Sequence, residues 1–152
     1  MTVSFPKARH MARVRALQAL YQWQLAGHSI QEIELQFLSG QDMTRADVPY
    51  FQKLLRQIPM QVSTLDDQIK PLLDRDIAQI DPVEHAIFYI GCYELLHSKD
   101  VSRWVIINEA VELAKKFGAN QSYKYINGVL DKVAQQIRPH EHKTHKKFVK
   151  KQ

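Results

Sequence analysis

The chain has 152 residues, 45% of them hydrophobic and 24% charged, and carries a net +5 from 21 Lys and Arg against 16 Asp and Glu. That is enough apolar material for one compact domain, or two small halves sharing an interface, and it argues against global disorder. Five glycines and six prolines make up about 7% of the chain, below the usual sum of about 12%, which counts against turn-rich β-sandwiches and barrels.

Taken in order, the chain carries helical punctuation and no strand alternation. The first predicted helix runs from Pro6 to Ala26, with Met11, Val14, Leu17 and Leu20 or Tyr21 recurring at three- and four-residue steps and Gly27 ending the pattern. A short second helix opens with Ser29 and Glu32 at capping-box spacing and places Ile30, Ile33 and Phe37 on one face. Gly40 to Asp47 reads as a polar loop. The third helix runs from Asp47 through Tyr50, Leu54, Leu55 and Ile58 to Pro59, where proline kinks or breaks it. The fourth is expected over Thr64 to Leu73, with Pro71 late in it. Asp81-Pro82-Val83-Glu84 supplies an N-cap, a proline at N1 and a carboxylate at N3 for a fifth helix to about Ser98. That helix is apolar around much of its circumference, so it is expected to be central. The sixth spans Ser102 to Phe117 and stops at Gly118; the seventh begins near Ser122 and ends before Pro139. The expected fold is all-α, a seven-helix bundle that the proline breaks and the loop before Asp81 divide into two packed halves.

No apolar run approaches the ~20 residues of a membrane span. Lys7, Arg9, Arg13 and Arg15 are followed by no uninterrupted apolar segment with a cleavage site, so no signal peptide is expected. Cys92 is the single cysteine, which excludes an internal disulfide and a Cys-rich zinc motif. The expected compartment is the cytosol. Residues 1–15 hold four basic groups and no acid, and residues 139–152 hold five lysines (Lys143, Lys146, Lys147, Lys150, Lys151) and one acid, Glu141. The body between them is net acidic. The last fourteen residues read as a flexible basic tail aiding solubility, and the N-terminal cluster, which merges into a helix, as a polyanion-binding arm.

Catalytic motifs are absent: the sequence has no GxSxG, P-loop, GxGxxG or HExxH. Cys92 sits in an apolar helical setting and is expected to be a buried, inert thiol. His85 and His97 lack a second ligand at helical spacing, and His140, His142 and His145 lie in the tail, so no metal or cofactor is expected. Asp66, Asp67, Asp74 and Asp76 read as exposed helix-end charges. The chain is not expected to be an enzyme.

Arg9 and Arg13, four apart on a helix with Lys7 and His10 close by, form a basic face suited to a phosphate backbone. Aromatics for base stacking lie near: Tyr21 and Trp23 on the same helix, Tyr123 and Tyr125 flanking Lys124. Trp23 and one of the last two tyrosines are expected in the core; Tyr21 fits core or surface. Asn108 and Asn127 are unusual helix-interior choices, and Gly128 suggests a close helix–helix approach.

Ile107-Asn108-Glu109-Ala110-Val111-Glu112-Leu113-Ala114-Lys115-Lys116-Phe117-Gly118, followed by Tyr125-Ile126-Asn127-Gly128-Val129-Leu130-Asp131, resembles the NusB family of bacterial transcription antitermination factors. The first helix running into Ala19-Leu20-Tyr21-Gln22-Trp23-Gln24-Leu25, and Tyr93-Glu94-Leu95 in the fifth, extend the resemblance over most of the chain. It implies an all-helical protein that binds the boxA element of nascent RNA as a heterodimer with NusE, a ribosomal protein of the small subunit, and helps RNA polymerase read through terminators, notably on ribosomal RNA operons. It assigns RNA-binding roles to Lys7, Arg9, His10, Arg13, Tyr21, Glu84, Gln121 and Tyr125, and Lys124, flanked by two tyrosines, is expected to join them. The chain departs from the family where Met11 and Ala12 interrupt the arginine run and where Tyr89 stands in place of a frequent arginine. The alternative reading keeps the fold and makes the chain a non-catalytic adaptor in ribosomal RNA maturation.

Overall fold

The computed structural model describes residues 3–40 and 42–141. Seven α-helices and no strand stand among them, and the chain divides into two compact units, Met1–Val62 and Ser63–Gln152. The tail residues from His142 onward, including its five lysines, lie outside the described residues.

The first unit comprises α1 (Phe5–Ala26), α2 (Ile30–Gly40), α3 (Val48–Gln57) and a 3-10 turn at Pro59–Gln61. Helix α1 packs against both α2 and α3, so its buried arc is wider than the single stripe that the spacing predicts. Ala12, Ala16 and Ala19 join Val14, Leu17 and Leu20 in the core, and these small side chains let the flanking helices approach. Ile33 and Phe37 of α2 and Phe51, Leu54 and Leu55 of α3 complete it. The ends are set locally. Gly27 turns α1 off at φ 68°, its N–H returning to the Trp23 carbonyl. Ser29 Oγ accepts from the Glu32 N–H at 3.2 Å, and Asp47 Oδ1 accepts from the Tyr50 N–H at 3.1 Å.

The second unit contains α4 (Val62–Ile69), 3-10 turns at Lys70–Leu72 and Ile77–Gln79, α5 (Pro82–His97), α6 (Arg103–Phe117) and α7 (Ser122–Ile137). Helix α4 stops four residues short of its expected end, because Pro71 has no N–H to continue the ladder and the chain tightens into a 3-10 turn. Asp81 caps α5 as its sequence predicts, accepting from the Val83 N–H at 2.7 Å. Ten consecutive residues of α5, Ala86 to Leu95, are buried, and the helix packs against both α6 and α7. Burial pushes the Cys92 thiol up to about 12, as an inert thiol requires. Asp66 is no exposed helix-end charge: it accepts from the Tyr89 hydroxyl at 3.3 Å and pairs with His85 Nε2 at 2.9 Å.

Two buried arginines tie the ends of this unit together. Arg138 Nε donates to the Leu95 carbonyl at 2.9 Å, Nη2 to those of Glu94 at 3.0 Å and Ser98 at 2.9 Å, and Nη1 to that of Val101 at 2.6 Å. Arg103 Nη2 pairs with Asp131 Oδ1 at 2.7 Å. Glu141 accepts from the Arg103 backbone N–H at 2.7 Å and from Arg138 Nη1 at 3.0 Å, so fixed contacts extend two residues past Pro139.

The close helix approach expected at Gly128 is elsewhere. A Cβ at Gly128 meets nothing within 4 Å, because that side of α7 is exposed. A Cβ at Gly91 comes within 2.8 Å of Leu130 Cδ1, so α5 meets α7 at Gly91. Gly128→Ala is therefore expected to stabilise the protein by roughly 0.5–1 kcal/mol, and Gly91→Ala to destabilise it by about 1 kcal/mol or more. Urea unfolding of both variants checks the contrast, and equal signs would refute it. Arg138→Ala removes a donor from four carbonyls, of which those of Glu94 and Ser98 keep a backbone N–H, and is expected to cost about 3 kcal/mol in the same assay; a loss below about 1 kcal/mol would mean that water replaces the guanidinium.

Candidate nucleic-acid interface

In the first unit the predicted residues lie along α1. Lys7 is exposed and His10 half-buried. Arg9 is held from three sides. Its Nε donates to Asp47 Oδ2 at 3.0 Å, and its Cζ lies 3.7 Å from the Tyr50 ring centroid and 4.7 Å from that of Phe5. Arg13, expected to face outward with Arg9, is 2% exposed. It lies on the side of α1 that enters the core, with its Cζ 5.6 Å from the Tyr50 ring centroid. It supports the arginine–tyrosine stack from within and offers little surface to a phosphate. Tyr21 resolves to the surface at 39% exposed, beside Leu25 and above Gln18 and Gln22. It lies twelve residues past Arg9, about 18 Å along the helix axis. Trp23, expected in the core, is half-buried on the last turn of α1, where the chain reverses at Gly27.

In the second unit Glu84, Gln121 and Tyr125 line one concavity of about 370 Å³ together with Arg75, Gln79 and Asp81. Lys124 is exposed on the same helix as Tyr125. Neither tyrosine beside it is fully buried: Tyr123 lies 5.1 Å from Lys115 Nζ at its ring centroid, and Tyr125 packs edge-on against Phe88 with centroids 5.9 Å apart. The Tyr125 hydroxyl accepts from the Asp74 N–H at 3.3 Å. The Arg75 guanidinium stacks over its ring, with Cζ 4.5 Å from the centroid, and pairs with Asp74 at 2.8 Å. Gln121 is left-handed at φ 71°, and among the described residues it is the non-glycine position that stores this strain. Next to it, Ser122 Oγ is buried with no hydrogen-bond partner.

Glu84 is 8% exposed. Burial pushes its carboxyl above the ordinary value, the Asp81 charge adds to the rise, and Arg75 opposes it. Each unit thus carries an arginine over a tyrosine ring, Arg9 on Tyr50 and Arg75 on Tyr125, the pairing of cation and π-face that suits phosphates and bases. Arg75, Asp47, Tyr50 and Phe5 were missed by sequence reasoning. Arg75 sits between two 3-10 turns, where no periodicity assigns a face; Asp47 stood only as the boundary between a loop and the third helix.

Among the described residues no group of three or more His, Cys, Asp or Glu is arranged to hold a metal, and no helix is long and apolar enough to cross a membrane.

A family profile described as the NusB family matches residues 10–135. A transcription antitermination protein NusB of Alcanivorax borkumensis is 53% identical over 135 residues, covering 89% of this chain and 90% of that protein. Among solved structures, T. maritima NusB aligns with a TM-score of 0.77 at 26% identity, covering 94% of this chain and 99% of its own. A chain in a crystal structure of the antitermination factors NusB and NusE with double-stranded RNA aligns with a TM-score of 0.77 at 25% identity, covering 85% of this chain and 97% of that one.

The raised Glu84 carboxyl gives a pH test. The folded chain holds this proton more tightly than the unfolded one, so the contribution to stability is present below the ordinary value of 4.5 and is lost as pH rises through the folded pKa. Glu84→Gln lacks that loss. The variant is expected to gain melting temperature over the parent at pH 7 and to match it near pH 4; a pH-independent difference would contradict the assignment.

Proposed function

The chain belongs to the NusB family, and from that membership we propose that it is a transcription antitermination factor. It binds boxA-type single-stranded RNA on nascent, notably ribosomal, transcripts together with NusE, within the antitermination complex of RNA polymerase. In this reading it works in the cytoplasm, catalyses no reaction and needs no cofactor. Residues 1–138 form the RNA-binding body and residues 139–152 a basic extension.

The observation that carries the reading is the pairing of each basic face with exposed or stacked aromatics. On the first unit Lys7 and His10 flank an Arg9 already stacked on Tyr50, with Tyr21 exposed further along the helix. On the second, Tyr125, Gln121 and Glu84 share a concavity, with Lys124 exposed one residue before Tyr125. Phosphates bound by the cations orient the strand, and base edges and faces meeting Glu84, Gln121, Tyr21 and Tyr125 supply sequence preference. Arg13 contributes by fixing the Tyr50 stack.

The test is fluorescence anisotropy of a labelled boxA-type strand against a scrambled strand and a duplex, with and without NusE. Selective binding to the boxA strand that tightens with NusE is expected. Tyr21→Ala and Tyr125→Ala are each expected to cost about 1–3 kcal/mol of binding, the usual worth of a base stacked on an aromatic ring. Equal, salt-sensitive binding to all three RNAs would reject the boxA reading. NusE binding without RNA affinity would instead favour a non-catalytic adaptor.

A further inference from the structure

Asp47 makes three bonds that converge on Arg9. Its Oδ2 accepts from Arg9 Nε at 3.0 Å, its Oδ1 accepts from the Tyr50 N–H at 3.1 Å, and its own N–H donates to the Ala8 carbonyl at 3.0 Å. The carboxylate therefore ties the start of α1 to the start of α3 and holds the Arg9 guanidinium over the Tyr50 ring, Cζ 3.7 Å from its centroid, with Phe5 on a third side at 4.7 Å. A guanidinium has five N–H donors in a planar fork. Among the described residues one is used on Asp47; the side chain keeps 18% of its surface exposed, and the donors on Nη1 and Nη2 form its outer edge. That outer edge is the one that takes a phosphate bidentately.

We propose that Asp47 is a positioning residue for RNA: by pinning Arg9 against Tyr50 it aims the outer edge of the guanidinium at a phosphate, so that an acid strengthens the binding of a polyanion. The proposal rests on the RNA-binding reading of this face. An unpinned arginine would have to be ordered on binding, and the carboxylate meets that entropy cost in advance. If the pair were merely a bond between two helices, removing the carboxylate would raise the local positive potential and tighten RNA binding. The two readings predict opposite signs.

The decisive variant is Asp47→Asn in the full chain, measured by anisotropy with the boxA-type strand across a NaCl series. Asparagine keeps an oxygen for the Tyr50 N–H, so the α3 cap survives. The expected result is binding weakened about fivefold, with a salt slope shallower by about 0.7, the worth of one phosphate on a single strand. Combined with Arg9→Ala, Asp47→Asn is expected to add nothing. Arg9→Lys keeps the charge and leaves Asp47 in place but lacks the fork, and is expected to weaken binding by a similar factor. Parent-like or tighter binding by Asp47→Asn, with an unchanged slope, overturns the positioning role while leaving RNA binding intact. Should circular dichroism show Asp47→Asn to be unfolded, Arg9→Lys decides, and parent-like binding by it overturns the proposal. A parent protein that binds none of the RNAs overturns both the RNA reading and the role built on it.

Discussion

The carbonyls that end α5 need donors, and the Arg138 side chain brings them from about forty residues away. A helix leaves its last carbonyls short of donors, and here Glu94, Leu95 and Ser98 are buried residues, so water has little access. A planar fork of five donors meets this need. Three of its bonds go to Glu94, Leu95 and Ser98 and one to Val101 in the turn toward α6. Glu141 then closes the circle, neutralising Arg138 and capping the first N–H of α6. The ends of α5 and α7 and the start of α6 are thereby fixed to one another. The Gly91–Leu130 contact and the placement of Tyr125 against Phe88 both depend on that registry.

The first unit uses an analogous device at its surface. Asp47 is a helix cap, a bridge to α1 and the partner of Arg9 in one carboxylate. The helix cap and the placement of Arg9 are thus carried by the same carboxylate. Arg13, one turn further, shows how finely the helix face is divided: four residues separate a half-buried guanidinium from one in the core.

What could be read from the sequence is what is encoded locally. The caps at Ser29 and Asp81, the Gly27 stop and the all-helical pattern depend on groups two to four residues apart, and the structure repeats them. The central position of α5 followed from its being apolar around much of its circumference. Other features depend on which side of a helix meets a neighbour, and the sequence does not state that. Gly128 and Gly91 look alike in the chain, yet one faces open space and the other a leucine. Apart from the Arg138–Glu141 pair, the bonds of Arg103 and Arg138 span 28 to 44 residues and leave no local trace. Arg75 lies between helices and gains its role from a ring fifty residues later. For the candidate site, Glu84, Gln121 and Tyr125 were nameable through family resemblance, whereas the arginine that covers Tyr125 was not.

The contact of Gly91 with Leu130 also constrains how this sequence can change over time. The two positions share one volume, so neither drifts alone. A side chain at 91 becomes tolerable once 130 has shrunk, and a shrunken 130 leaves a void until 91 grows. Homologous chains should therefore show the two positions substituting as a pair, and a lineage that takes the steps in the wrong order passes through a less stable ancestor.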